Sequence, residues 1–338
     1  MDILIGADPE FFVKKDGKHV SAYGLIAGNK KDPLPVKDGA IQVDGMALEF
    51  NINPAKNKKE FRSNIRSVLA QFREIIPAEY EFDFVPVAHF GKDYIEGQPL
   101  EARRLGCEPD FNAWAGGVAN PAPDASAGFR TASGHIHIGW TKDEDVTNPD
   151  HLEACNMLVK QLDAYLGLYS IVLDPDNTRR QLYGKAGAYR PKSYGVEYRV
   201  MSNFWLKEDW MIEDVFTLAS AAFSHLLQGE RYYGTYAKDC AFLINKGTDF
   251  ENAYRILCDY AALSYNFQDR YNIRHRAEVK KQREEEAAKI EGAKKFRDLD
   301  PLEYNAKRRK RKIADIKLDE AAVAQINDIE ILLRDLDL

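Results

Sequence analysis

Long apolar runs are missing from this 338-residue chain. No stretch approaches the roughly 18 consecutive apolar residues that a membrane-spanning helix needs, so no membrane partner is expected. The amino end lacks the basic, apolar and small-residue succession of a secretory signal, and the expected location is cytoplasmic. Cysteine is scarce: Cys107, Cys155, Cys240 and Cys258 form no CxxC pair and stand at no zinc-finger spacing from a histidine. That excludes a disulfide scaffold and reads as reduced, structural thiols. An excess of positive charge is also absent. The net charge is −6, so nothing global draws the chain to nucleic acid. Neither GxxxxGK[ST] nor a GxGxxG following a strand occurs, and the glycine-rich "YGKAGAYR" matches neither.

What is present is an ordinary globular composition, 45% hydrophobic and 30% charged, in a chain long enough for a large core. At roughly 150 residues per domain, two units or one large domain with an appendage are expected. Strand-like runs at Leu4–Val13, Ala40–Asn53, Tyr80–Val87, Gly134–Trp140 and Gly195–Phe204 are separated by Gly, Pro, Asp and Asn clusters. Helical periodicity marks "NKKEFRSNIRSVLAQFREII", residues 150–173, "EDWMIEDVFTLASAAFSHLLQ" and "FENAYRILCDYAALSYNF". Strands and helices mix without a regular βαβ repeat, which predicts an α+β domain on a largely antiparallel sheet. Near Asn272 the composition turns strongly charged. We therefore divide the chain at 1–270 and 271–338, the second part a helical extension. It carries six consecutive basic residues, Lys307–Lys312, and an apolar stripe at Val323, Ile326, Ile329, Leu333 and Leu336. The basic run reads as a solvated helix face, with an anionic partner as the alternative.

Four strands put charge where a buried strand should be apolar. Positions two apart share a face. Asp8 and Glu10 therefore point one way, opposite Ala7, Pro9 and Phe11. In "VDGMALEFNINP", Glu49, Asn51 and Asn53 share a face, while Asp44 falls out of phase unless Gly45 sits at a bulge. In "SGHIHIGW", His135 and His137 share a face between flanking glycines. In "YGVEYRVMSNFW", Glu197 and Arg199 do so. A solvated sheet face would mix Lys, Thr and Ser into such positions. Carboxylates, imidazoles and an arginine without lysine instead suit hard cations such as Mg²⁺ or Mn²⁺. Several carboxylates imply more than one ion. Arg179, Arg180, Arg190 and Arg199 fall within 21 positions, and guanidinium forks match phosphate. For Arg179 and Arg180 taken singly, a structural role competes with that reading. ATP, if bound, would be held by metals and arginines on a sheet rather than by a glycine-rich loop.

These residues, in this order, resemble the glutamine synthetase and glutamate–cysteine ligase superfamily of carboxylate–amine ligases, and within it the compact bacteriophage-encoded type. "GADPEFFV", "LEFNINP", "GHIHIG" and "GVEYRV" are similar to its catalytic strands, over roughly Leu4 to Phe204. The resemblance implies a curved antiparallel sheet holding ATP and two or three Mg²⁺ or Mn²⁺ ions. It implies Glu10 and Glu49 on one metal, and Asp8, His135 and Glu197 on another. His137 would face the nucleotide phosphates, with Arg180 also on the nucleotide, and Arg190 and Arg199 would hold the transferring phosphoryl group. The implied activity joins a carboxylate to an amine or ammonia through an acyl phosphate, in a possible homo-oligomer, with a small molecule or peptide as carboxylate. A metal-dependent hydrolase without ATP and a non-catalytic interaction protein on a ligase scaffold are the alternatives. Leu105–Trp114, the loop to Gly134 and Ser202–Trp205 are expected to line the substrate pocket, although Trp114 and Trp205 also suit a core.

Overall fold

Alternation along each central strand sorts side chains onto two faces, and one of those faces builds the core. Ile5, Ala7 and Phe11 join Ile41, Leu48, Phe50, Ile136, Ile138, Val196 and Tyr198 in a single buried cluster. The computed structural model describes residues 3–103, 110–121 and 128–297. Thirteen strands occur among them: β1 Leu4–Lys15, β2 Lys18–Val20, β3 Leu34–Val36, β4 Gly39–Asp44, β5 Ala47–Ile52, β6 Tyr80–Asp83, β7 Val87–His89, β8 Phe111–Asn112, β9 Val118–Ala119, β10 Phe129–Thr131, β11 Gly134–Gly139, β12 Ala188–Lys192 and β13 Gly195–Tyr198. Eleven make one sheet in the order β3-β4-β5-β1-β11-β13-β12-β8-β9, with β2 and β6 also on β1, and β7 pairs β10 apart from it. Every named pairing is antiparallel. The class is mixed α+β, on a large, open and uncurled antiparallel sheet.

Helices cover the apolar face. The helix Lys58–Ile75 turns Phe61, Ile65, Val68, Leu69 and Phe72 inward. Its Asn57 cap accepts from the Glu60 amide, and Glu60 accepts in return from the Lys56 amide at 2.9 Å. Such a cap contributes about 1 kcal/mol. Phe61 stacks on Trp205, which is fully buried. The helix Asp209–Leu227 packs on Lys58–Ile75 and on the helix Pro149–Leu162. The latter continues through a π-helical turn, Asp163–Gly167, into Leu168–Leu173, which completes the expected helix over 150–173.

Three expected elements divide. The run Ala40–Asn53 is a hairpin rather than one strand, because Asp44–Gly45 is turn chemistry. Gly45, with φ +59°, takes the first turn position, and Asp44 pairs with Ala47. Tyr80–Val87 breaks at Pro86 into β6 and β7. Gly195–Phe204 ends as a strand at Tyr198 and gives way to a 3₁₀ turn at Asn203–Lys207.

Contacts divide the chain into two units, Met1–His275 and Arg276–Leu338. A helix, Tyr265–Arg297, runs through the division, and in the second unit it carries exposed pairs Lys280–Glu284 and Lys281–Glu285. The basic run Lys307–Lys312, the stripe after it and Cys107 lie outside the described residues. The three described cysteines are unpaired. No helix among the described residues is long and apolar enough to cross a membrane.

Candidate metal and ligand-binding site

Directly opposite residues of antiparallel strands point to the same face. Register therefore assembles the site as rows across the sheet. One row is Gln42, Glu49 and Glu10, from β4, β5 and β1. The next joins Asp8 of β1 to His135 of β11. A third is His137, Glu197 and Arg190, from β11, β13 and β12. The hairpin restarts the alternation, so Asp44, two residues from Gln42, returns to this face although it is out of phase with Glu49 in the sequence. Close approach fixes β11: a Cβ on Gly134 would meet Ser202 O and Trp205 Nε1. Pro9 is in register with Gly134 of β11, and on the opposite edge of β1 pairing with β5 begins only at Glu10. The Glu10 amide donates to Ser133 O on the β11 side, so the missing N–H of Pro9 faces the β5 edge, just ahead of that ladder.

Two clusters result. Asp8, His135 and Glu197 offer ligand atoms within 4.8 Å of one another, and so do Glu10, Asp44 and Glu49. In the first, His135 Nδ1 lies 3.4 Å from both Asp8 and Glu197, and His137 Nε2 lies 2.8 Å from Asp8. Burial acts to raise the Asp8 carboxyl, but His137 and His135 together outweigh it and hold it well below the usual range. Burial and Asp8 likewise oppose ionisation of Glu197. Arg199 and the two histidines prevail and bring it to about 2. Burial, then Arg199, push His135 down to about 4, so it is a neutral imidazole able to ligate. Its Nε2 has no hydrogen-bond partner among the described residues.

The second cluster is short of positive charge. Burial and then Asp44 raise Glu10 to about 7. Burial, Asp8, Glu10 and Asp44 raise Glu49 well above its ordinary value. The Glu10 carboxylate accepts from the Ser133 amide at 2.8 Å, and Glu49 accepts from Gln42 at 2.6 Å. These donors orient the oxygens toward each other, where a proton or a cation relieves the repulsion. Three carboxylates in one cluster, and two with a neutral imidazole in the other, are donor sets that fit Mg²⁺ or Mn²⁺.

Two cavities meet at these clusters, and Asp8 and Glu49 line both. The smaller, about 170 Å³, is polar and holds Glu10, Asp44, His135, Glu197, Arg190 and Arg199 in its wall. The larger, about 820 Å³, runs past His137 to an apolar end formed by Leu4, Ile52, Pro54, Trp140 and Tyr194. His137 Nδ1 is 2.6 Å from the Tyr194 hydroxyl at its edge.

The arginines separate. Arg199 contacts Glu197 closely and lies 3.5 Å from Asp110, and Arg190 lies 3.7 Å from Glu197. Arg180 is not brought to the site. It is 4% exposed, and its guanidinium donates to Asp174 O, Asp176 O and the Ser170 hydroxyl. Arg179 is a brace: it donates to Val200 O, Arg199 O and the Ser133 hydroxyl, tying β11 to the end of β13. Ser202–Trp205 do not line either cavity. Ser202 donates to Asp174 and Trp205 is core. Trp114 donates from Nε1 to Asp163 at 2.6 Å.

The site face also holds lysine, contrary to expectation. Lys192 Nζ is 2.8 Å from Glu197, and Lys30 Nζ is 2.6 Å from Asp44. Pro191 hid β12, since proline inside a run argues against a strand. β12 tolerates it because the pairing with β8 involves only Ala188 and Tyr189. Lys30 comes from a loop, where no periodicity signals direction. Arg130, Thr131 and Ser133 also line the smaller cavity.

Comparison with known proteins now bears on this arrangement. Residues 124–275 match the phage phiEco32-like COOH.NH2 ligase-type 2 family. The matched segment carries His135, His137, Arg190, Glu197 and Arg199, while Asp8, Glu10, Asp44 and Glu49 reach it through the sheet from outside the matched range. No curated protein matches the sequence. Among solved structures, one described as the crystal structure of a novel glutamine synthase homolog is similar at 12% identity. It covers 82% of this chain and 71% of its own, with a TM-score of 0.35.

Proposed function

We propose that the chain is an ATP-dependent carboxylate–amine ligase. One observation carries this reading. Two acidic clusters and a set of cations share one sheet face, and half of that face lies within a segment matching a COOH.NH2 ligase family. The larger cavity suits a nucleotide in size and character, since ligand pockets run about 300–1,000 Å³ and are mostly apolar with few polar groups. Its apolar end would take the base, and His137 would face the phosphates. The smaller cavity, walled by carboxylate ligands and cations, would take the reacting carboxylate.

Asp8, His135 and Glu197 would hold one divalent cation, and Glu10, Asp44 and Glu49 a second. Such ions would neutralise phosphate charge on a bound nucleotide. The chemistry runs in two steps. A carboxylate oxygen attacks the γ-phosphorus, the bond to the bridging oxygen breaks, and ADP leaves an acyl phosphate. The amine, having lost a proton, then attacks the acyl carbon and expels phosphate. Arg199 and Arg190 would bind the oxygens of the transferring group, because phosphoryl transfer depends chiefly on positioning and charge stabilisation. Arg179, through Ser133 and the Arg199 carbonyl, keeps that arginine's backbone in place.

Hydroxylamine trapping tests the reading directly. Protein with Mg²⁺, ATP and a panel of amino-acid and peptide carboxylates should form a hydroxamate and ADP in equal amounts with at least one member. ATP hydrolysis indifferent to every carboxylate, or no Mg²⁺-dependent binding of ATP, would count against it.

A further inference from the structure

We propose that Lys30 is a tethered counter-ion of the Glu10–Asp44–Glu49 cluster, and that it sets the affinity of that cluster by competing with the divalent cation. The inference rests on the ligase reading for the identity of the ion, but its geometry is independent. Lys30 belongs to the loop between β2 and β3. That loop is anchored by its backbone: Asn29 and Asp32 exchange two hydrogen bonds of 3.1 Å, and the Val43 amide donates to Gly28 O at 3.0 Å. The anchor sets the lysine beside β4. Its ammonium reaches Asp44 Oδ2 at 2.6 Å and lines the same cavity as Glu10 and Glu49.

An ammonium here does part of what a metal would do. Three carboxylates within 4.8 Å of one another repel, and one positive charge at their rim offsets part of that repulsion. The ammonium cannot replace an ion. It approaches Asp44 from the rim, its side chain is 52% exposed, and of the three acids it ion-pairs with Asp44 alone, so it does not bridge all three. An exposed pair of this kind contributes about 1 kcal/mol or less. It is therefore displaceable, and its loss on metal entry subtracts that amount from the binding free energy. The first cluster differs, because its cations, Arg199 and Lys192, hold Glu197 rather than the acids of the second cluster.

The test is Mn²⁺ binding to the full chain without nucleotide, followed by isothermal titration and by the electron paramagnetic resonance of free Mn²⁺. Lys30→Met should bind one of two ions about fivefold more tightly than wild type, the fold-change equivalent to about 1 kcal/mol. The other ion should be unchanged. Lys30→Arg, which keeps the charge, should stay within a factor of two of wild type, roughly the scatter of such pair energies. As a control on folding, metal-free Lys30→Met should melt cooperatively at or slightly below the wild-type temperature. Equal affinity in wild type and Lys30→Met, or weaker binding in the variant, overturns the proposal while leaving the ligase reading intact. No Mn²⁺ binding by either protein overturns both.

Discussion

Glu10→Gln should stabilise the protein without metal and destabilise it with metal. In the folded chain Glu10 is raised from 4.5 to about 7, first by burial and then by Asp44. A raised acid costs stability above its folded value. Below pH 4.5 the proton is held in both states and no penalty exists. Between 4.5 and 7 the folded chain keeps a proton that the unfolded chain releases, so stability falls as pH rises, and the penalty is complete above 7. A displacement of about 2.5 units at 1.36 kcal/mol each gives an upper bound of about 3 kcal/mol. At roughly 2 °C per kcal/mol for a unit of this size, the melting temperature should rise by up to about 6 °C at pH 8 in EDTA. At pH 4.5 the two proteins should melt together. Glutamine keeps an oxygen to accept the Ser133 amide, so the backbone of β1 is undisturbed. Saturating Mg²⁺ should invert the order, because wild type gains about 4 kcal/mol at a thousandfold excess over Kd, more than the penalty in EDTA, and the variant has lost a ligand. Differential scanning calorimetry at two pH values, with and without Mg²⁺, measures all four quantities. A variant less stable than wild type in EDTA at pH 8, or equal stabilisation of both by Mg²⁺, refutes the electrostatic account of the cluster.

Three further outcomes follow from the geometry. Arg199→Lys should lower turnover about 100-fold or more with an unchanged fold, since an ammonium cannot span Glu197 and Asp110 as a fork does; kcat beside a circular dichroism melt checks this. Arg179→Met should instead destabilise by about 3 kcal/mol, because three buried acceptors lose their donor; urea unfolding measures it, and a loss below 1 kcal/mol would contradict the brace role. Asp163, raised by burial to about 7, should make wild-type stability fall as pH rises from about 4 to 7, by at most about 4 kcal/mol; Asp163→Asn should flatten that slope in pH-resolved denaturation.

The alternation on β1, β5, β11 and β13 was legible because each strand is apolar on one face and ionisable on the other, with no intervening turn. The grouping of Asp8, His135 and Glu197, and of Glu10 with Glu49, came from the family resemblance rather than from alternation; in the fold the ligand atoms of each group lie within 4.8 Å of one another. Asp44 is out of phase with Glu49 along the sequence because the hairpin turn at Gly45–Met46 restarts the alternation. Lys192 was obscured by Pro191, and Lys30 by its loop, where direction depends on tertiary anchoring at Val43 and Asn29. Arg179 and Arg180 could not be separated from the site by composition. Both sit on the short helix Thr178–Leu182, and only packing shows that each is spent on backbone carbonyls.

A two-cation nucleotide site on this sheet face would hold both metals and the triphosphate at once. Anomalous diffraction from crystals grown with Mn²⁺ and a non-hydrolysable ATP analogue tests it most directly. Two Mn²⁺ peaks are predicted, one among Asp8, His135 and Glu197 and one among Glu10, Asp44 and Glu49, with the triphosphate beside His137 and the base toward Trp140 and Tyr194. Absence of both peaks, or an analogue bound away from this face, would contradict it.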